Sequence, residues 1–330
     1  MRVPFDTMVG EFSRVLRKLA FSPDRADVCA RLFAEASRDG VYSHGLNRFA
    51  GFVSYIRDGH VDVSAEPQQV SAFGPLERWD GRRGPGNLNA HFCMGRAIEL
   101  ARQHAVGCVA LRNTNHWMRA GSYGWQAAEA GCIGMCWTNT IPNVPPWGAR
   151  QARVGNNPLV LAVPRAGGHV VLDMAMSQFS YGRLHSHRLR GESLPVDGGF
   201  DEAGRLTRDP AAIMKTMRPL PIGYWKGSGL SLLLDLVAAI LSGGTATWQL
   251  NQSVESGVSQ MFIAFDAARI AGDDLSRIAN EVIDDLHQAE PVKPGEQVYY
   301  PGERTLLTRK ESLEKGVLVE ESYWRQVLEM

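Results

Sequence analysis

The stretch VGCVALRNTNHWMRAGSYGWQAAEAGCIGMCWTNT, residues 106–140, holds the pattern on which the fold turns. Residues 106–114 and 132–140 are short apolar runs of β type, and 121–130 between them reads as a helix. Three more runs of the same kind follow: PLVLAVP (158–164), VVLDMA (170–175) and SQMFIAF (259–265). No Gly-x-Gly-x-x-Gly follows any of these strands, and the elements do not form a clean βαβ series. The pattern therefore argues against a standard doubly wound sheet.

Upstream of about residue 70 the character is helical. Phe5, Met8, Val9, Phe12, Val15, Leu16 and Leu19 fall at three- and four-residue steps and form one apolar stripe. A second helix opens at Ser22-Pro23, with a capping residue before a proline, and Gly40 stops it. A third runs from about Asn47 to Asp58. The polar loop VYSHGLNR (41–48) lies between them. Downstream, 182–222 reads as loop, 228–242 as a long buried helix, 275–288 as an amphipathic helix and 320–328 as a short one. The expected fold class is α/β (α+β), a helical N-terminal layer packed on a mixed α/β body. Residues 1–70, joined in space by 266–330, form the helical region, and 71–265 form the body.

The bulk numbers narrow the function. Lys+Arg and Asp+Glu balance at 35 each in 330 residues, which builds no broad positive field for nucleic acid or an anionic membrane. A small anionic ligand stays open, because a pocket needs only one or two placed cations. The five cysteines are an odd number in a long chain, so a disulfide framework is not expected, and Cys132 and Cys136 read as small core residues. The N-terminus lacks a signal pattern, and the apolar run 230–241 is too short to span a bilayer and carries Asp235. A cytoplasmic protein is expected. His185-x-His187 is the only close histidine pair and has no carboxylate at ligand spacing, so no metal is expected.

Several segments carry possible chemistry. In YSHG, His44 titrates near neutrality, Ser43 adds a hydroxyl, and Arg48 offers a planar fork that suits a carboxylate. The alternative, that His44 caps a helix and Arg48 faces solvent, stands level with it. His116 lies among polar residues at a strand end, in RNTNHWMRAG. In GYWKGSGLSLLLDL (223–236), Lys226 and small residues precede a helix, a plausible phosphate cradle that is not a P-loop. Asp173, at the tip of VVLDMA, suits a ribose or a turn cap. Composition and spacing thus give an enzyme with an anion site and a His/Arg pair.

The segments YSHGLNRF, ALRNTNHWMRAGSYGWQAAEAG, CWTNT, PPWGA, GNNPL, FSYG, LPVDGGF and GYWKGSG follow one another along nearly the whole chain. Together they resemble the malate/L-lactate/ureidoglycolate dehydrogenase family. NHWMR, SYGWQAAE and LPVDGGF are narrower and resemble a reductase of a diketo sugar acid within it. The resemblance implies a non-Rossmann NAD(P)-binding fold with a largely antiparallel sheet in the body, and a homodimer. It implies that His44 donates the proton to a ketone beside a carboxylate, and that Ser43, Arg48 and His116 line the substrate pocket. The cofactor would lie along His169, Val170, Val171, Leu172, Asp173, Met174 and Ala175, at Trp225 and Lys226, and at the late turn Gly302, Glu303 and Arg304. NADH is the implied cofactor, with NADPH open because Arg304 would suit a 2′-phosphate. The substrate would be a small anionic keto acid, and Trp117, Met118 and Trp147 would tune which one. Another 2-oxo or imino acid, or a non-catalytic ligand sensor, are the competing readings.

Overall fold

The structure, a computed structural model, describes residues 1–250, 254–272 and 274–330. Its central sheet has seven strands, in the order Gln68–Phe73, Leu76–Asp80, Val106–Asn115, Ser256–Asp266, Cys132–Thr138, Leu159–Val163 and Val170–Met174. Five of the six pairings are antiparallel. The parallel one joins Leu76–Asp80 to Val106–Asn115, and the helix Gly86–His104 makes the crossover that a parallel pair requires. The mixed, largely antiparallel sheet agrees with the expectation, and Val170–Met174 forms one edge.

Both faces of the sheet are covered. Phe262, Val109 and Leu111 pack with Trp117 and Tyr123 beneath the helices Gly86–His104 and Gly121–Glu129. The second helix sits close because Gly124 has no side chain; a Cβ there would lie 2.6 Å from Val160. On the other face Met261, Ala110, Trp137 and Leu159 meet Leu234 and Ala238 of the helix Trp225–Ser242. The N-terminal helices Phe5–Lys18, Pro23–Arg38 and Leu46–Arg57 close around Met8, Phe12, Phe33 and Phe49, with the Phe12 and Phe49 rings 4.2 Å apart. Val317, Trp324 and Val327 join that core, and Arg2–Val3 pairs with Val317–Leu318.

The structure corrects three expectations and keeps the helix read at 275–288, as Asp274–His287. Residues 182–222 are not simply loop. They hold the helices Tyr181–Arg190 and Pro210–Thr216 and a hairpin of Gly199–Phe200 with Leu206–Thr207. Four apolar residues, Phe179, Leu184, Leu194 and Ile213, suffice for their core, too few to set a period in a Gly/Pro-rich stretch. The helix read as buried is longer, Trp225–Ser242, and only half covered: Leu233 and Ile240 are 58% and 70% exposed. A helix apolar on all sides gives no sign of which face is inward. At 18 residues it is long and apolar enough by composition to cross a membrane, where the run 230–241 read as too short. In the fold its Asp235 turns inward and accepts hydrogen bonds from Asn139 Nδ2 and the Thr247 amide. In Asp274–His287 only Ile283 of the apolar stripe is fully buried. Finally, Gly302–Arg304 is no isolated turn but the start of the helix Glu303–Lys315.

Candidate active site

Helix Pro23–Arg38 hands the chain to a single 3-10 turn, Tyr42–His44, and the next helix begins at Leu46. The junction is tight. The Leu46 amide donates to Ser37 Oγ at 2.8 Å, and a side chain at Gly45 would strike Ser37. His44 is thereby held one turn before Arg48, whose amide donates to the Gly45 carbonyl. Ser43 Oγ lies 2.9 Å from His44 Nδ1, which leaves Nε2 for another partner.

His116 follows the strand Val106–Asn115. Its Nδ1 accepts the Met118 amide at 2.9 Å, so the neutral ring carries its proton on Nε2. Met118 adopts a left-handed φ of 63°, a conformation that costs a non-glycine residue energy and brings its amide to the ring. The two imidazoles, from separate layers, stand 5.9 Å apart and near parallel. His116 Nε2 is 3.9 Å from Glu255 Oε2. The neighbouring strand explains that meeting, because Ser256 pairs opposite Asn115.

Burial sets the electrostatics. It lowers the His44 pKa, against the opposing charge of Asp173, and Arg48 and Arg119 push it the same way. Burial, then Arg48 and His44, hold His116 well below its ordinary value. Burial pushes the Glu255 carboxyl up to about 7, with Arg48 opposing.

A cavity of about 710 Å³ joins these groups, and Ser43, His44, Arg48 and His116 all line it. So do Val171, Leu172, Asp173, Ala175 and Gly302 from the expected cofactor segments. The edge strand and the late turn are locked together: the Val171 amide donates to the Pro301 carbonyl at 2.8 Å, and a Cβ on Gly302 would sit 3.0 Å from that amide nitrogen. Asp173 Oδ2 accepts the Gly121 amide at 2.7 Å, so it caps the helix Gly121–Glu129 while facing the cavity.

Other expected residues lie elsewhere. His169 Nδ1 accepts the Arg165 amide, and Val170 and Met174 are half-buried away from the cavity lining. Glu303 Oε2 folds back to accept the Tyr300 amide, beside His287. Arg304 is exposed and lies over the Tyr299 ring at 4.5 Å. Trp225 and Lys226 start their helix at the surface and are not among the residues that line the cavity. Trp117 and Met118 line the cavity, whereas Trp147 meets the Tyr224 ring edge-to-face outside it.

Two contributors escaped the sequence reading. Glu255 carries no motif, and only strand register brings it in. The helix Tyr181–Arg190 begins on the cavity wall, where a Cβ on Gly182 would lie 3.1 Å from Ser43 Cβ. One buried carboxylate ties the wall together. Asp39 accepts from Arg38, Arg119 and Arg309 at 2.6–2.9 Å, linking the His44 turn, the His116 loop and the helix Glu303–Lys315.

Comparison with known proteins agrees along the whole chain. The family described as malate/L-lactate dehydrogenase matches residues 3–328. A 2,3-diketo-L-gulonate reductase of Salmonella paratyphi A is 47% identical over 331 residues, covering 99% of each chain. Among solved structures, the Δ1-piperideine-2-carboxylate reductase of Pseudomonas syringae has a TM-score of 0.89 at 29% identity, covering 100% of this chain and 99% of that one. The sulfolactate dehydrogenase of Methanocaldococcus jannaschii has 0.92 at 26%, covering 100% and 96%. The chain belongs to the malate/L-lactate dehydrogenase family and is an oxidoreductase.

Proposed function

We propose that this enzyme uses NADH to reduce 2,3-diketo-L-gulonate to 3-dehydro-L-gulonate, with His44 as the proton donor. The observation that carries the reading is one cavity lined by a histidine whose Nδ1 meets the Ser43 hydroxyl, an arginine fork and a second histidine fixed as a donor. The identity of 47% to a reductase bearing that name supports the substrate.

The cavity suits a nicotinamide dinucleotide. Its volume of about 710 Å³ is that of a cofactor pocket. The helix Glu303–Lys315 opens beside it at Gly302, where backbone N–H groups favour a phosphate. Val171, Leu172, Asp173, Ala175 and Gly302 would hold the cofactor. Arg304 is not among the residues that line the cavity, which supports NADH over NADPH. When bound, the nicotinamide supplies the hydride for the keto carbon.

The chain's own residues do the rest. Arg48 receives the carboxylate through its two-pronged fork and so fixes the ketone. His116 donates from Nε2 and orients an oxygen. His44, as imidazolium, hands its proton to the oxygen as charge builds there. Asp173 stabilises that imidazolium, and the incoming carboxylate does the same. General acid catalysis of this kind contributes roughly 10²–10⁴-fold; orientation must supply the remainder.

We propose in addition a cytoplasmic homodimer. Its contact would be the apolar face Leu232, Leu233, Leu236, Val237 and Ile240, which is large for a monomer's surface. Five free cysteines suit a reducing compartment. The proposed division of labour sets residues 71–265 as the cofactor-binding body against 1–70 with 266–330.

The test is NADH oxidation by purified protein with 2,3-diketo-L-gulonate, beside NADPH, pyruvate, oxaloacetate and Δ1-piperideine-2-carboxylate. Fast oxidation with diketogulonate alone is expected. Preference for another 2-oxo or imino acid would move the enzyme to a sibling activity. No oxidation with any acid would favour the sensor.

A further inference from the structure

We infer that Glu255 and His116 together form a subsite for an uncharged substrate oxygen, a hydroxyl or second carbonyl beyond the reacting carbon, and so select polyhydroxylated keto acids over short ones. The inference rests on the reading above and deepens it.

The geometry comes first. His116 Nε2 and Glu255 Oε2 face one another at 3.9 Å, beyond hydrogen-bonding range. One oxygen placed between them reaches both at about 2.8 Å. His116 is committed as a donor there, because its other nitrogen accepts the Met118 amide. Both side chains are mostly buried, at 17% and 15% exposure, and both line the cavity that holds His44 and Arg48. The reading above gives the keto oxygen to His44 and the carboxylate to Arg48. The Glu255–His116 gap is then left for the next oxygen along the chain.

The chemistry of Glu255 suits a neutral oxygen. An ionised carboxylate would repel an anionic substrate, whereas a carboxylic acid both donates and accepts, as a hydroxyl needs. Burial holds Glu255 near neutrality, with a pKa of about 7. The titratable and charged groups that share the cavity with it are His116, just after the neighbouring strand, His44 and Arg48 from the N-terminal layer, and Arg119 and Asp173. Burial holds His116 well below its ordinary value and raises Glu255 to about 7, so Glu255 itself dominates the change near pH 7. Pyruvate ends one carbon past its ketone and leaves the gap unfilled. Sites built to bond a hydroxyl reject analogues that lack one far more strongly than apolar pockets do.

The experiment compares wild type, Glu255→Ala and Glu255→Gln on 2,3-diketo-L-gulonate and on pyruvate, the latter as substrate or competitive inhibitor. NADH binding by fluorescence checks each variant's fold. Glu255→Ala is expected to lower kcat/KM for diketogulonate at least tenfold, mainly through KM, with the pyruvate constant within twofold. In wild type, KM for diketogulonate rises as pH climbs above about 7 and Glu255 ionises. Glu255→Gln, a neutral donor and acceptor, keeps most activity and loses that rise. Equal losses on both substrates, or none, overturn the subsite. So does an unchanged KM–pH profile in Glu255→Gln, which decides the matter if the alanine variant fails to fold. A wild type that oxidises NADH with no keto acid removes the proposed function itself, and the subsite with it.

Discussion

The backbone N–H of Met118 donates to Nδ1 of His116 across 2.9 Å, and this bond separates the roles of the two cavity histidines. Protonating His116 would break the bond and place a cation beside Arg48 in a buried site. His44 has no such tether, because its Nδ1 partner is a hydroxyl that can turn either way. His44→Ala is therefore expected to lower turnover by roughly 10²–10⁴-fold while NADH binding persists. His116→Ala is expected to raise KM and keep kcat within about tenfold, since it loses orientation alone. Steady-state kinetics on both variants decide this. A His44→Ala enzyme with a tenth of wild-type turnover would sink the assignment.

The pH dependence follows from the sign of the His44 shift. Burial lowers its pKa and Asp173 opposes that. Reduction needs the imidazolium, so kcat/KM for reduction falls as pH rises through the depressed pKa. The reverse oxidation needs the neutral base and gains over the same range. Asp173→Asn removes the charge that favours the imidazolium but keeps an oxygen for the Gly121 amide. The reduction limb should move to lower pH in that variant. Profiles measured in both directions test this, and a limb unmoved by Asp173→Asn contradicts it.

Asp39 is expected to matter for both stability and site geometry. Its carboxylate is fully buried and accepts from Arg38, Arg119 and Arg309. Burial alone would raise its pKa, but hydrogen bonds and charge from the arginines reverse this and hold it well below the carboxylate range. The stabilisation is thus fully present above the ordinary carboxylate pKa and is lost only as pH falls below it towards the depressed value. Asp39→Ala leaves Arg119 and Arg309 buried without their anion, which costs about 3–5 kcal/mol. Thermal melts at pH 7 and pH 5 should show the same large deficit in Tm at both. Equal melting of variant and wild type would mean that the arginines find other partners.

Much of this was legible in sequence, for physical reasons that also mark the limits. The strands Val106–Asn115 and Cys132–Thr138 announced themselves because their apolar runs are short and bounded by polar turns. Helix Gly86–His104 did not, because its inward positions include Asn87, Asn89 and Gly86, whose burial depends on partners far along the chain. His44, Arg48 and His116 stand in local motifs and come together in one cavity. Glu255 has no local signal at all, since pairing of Ser256 with Asn115 delivers it. Trp225-Lys226 shows the reverse case. Its composition suits an anion, but both residues are exposed at a helix start and are not among those that line the cavity.

The exposed face of helix Trp225–Ser242 yields the last prediction. Leu232, Leu233, Leu236, Val237 and Ile240 are 37–70% exposed, while Leu234, Asp235 and Ala238 on the other side meet the sheet. Nothing in the sheet packing needs the outer residues, so a charge there should not disturb the fold. In the proposed dimer two such faces meet, and burying two lysines opposite one another without partners is strongly unfavourable. Leu233→Lys combined with Ile240→Lys is therefore expected to give a monomer by light scattering, with a Tm near that of wild type at low protein concentration. If the variant stays a dimer, the contact lies on another surface. If wild type is itself a monomer, the homodimer proposal fails and the apolar face needs another explanation.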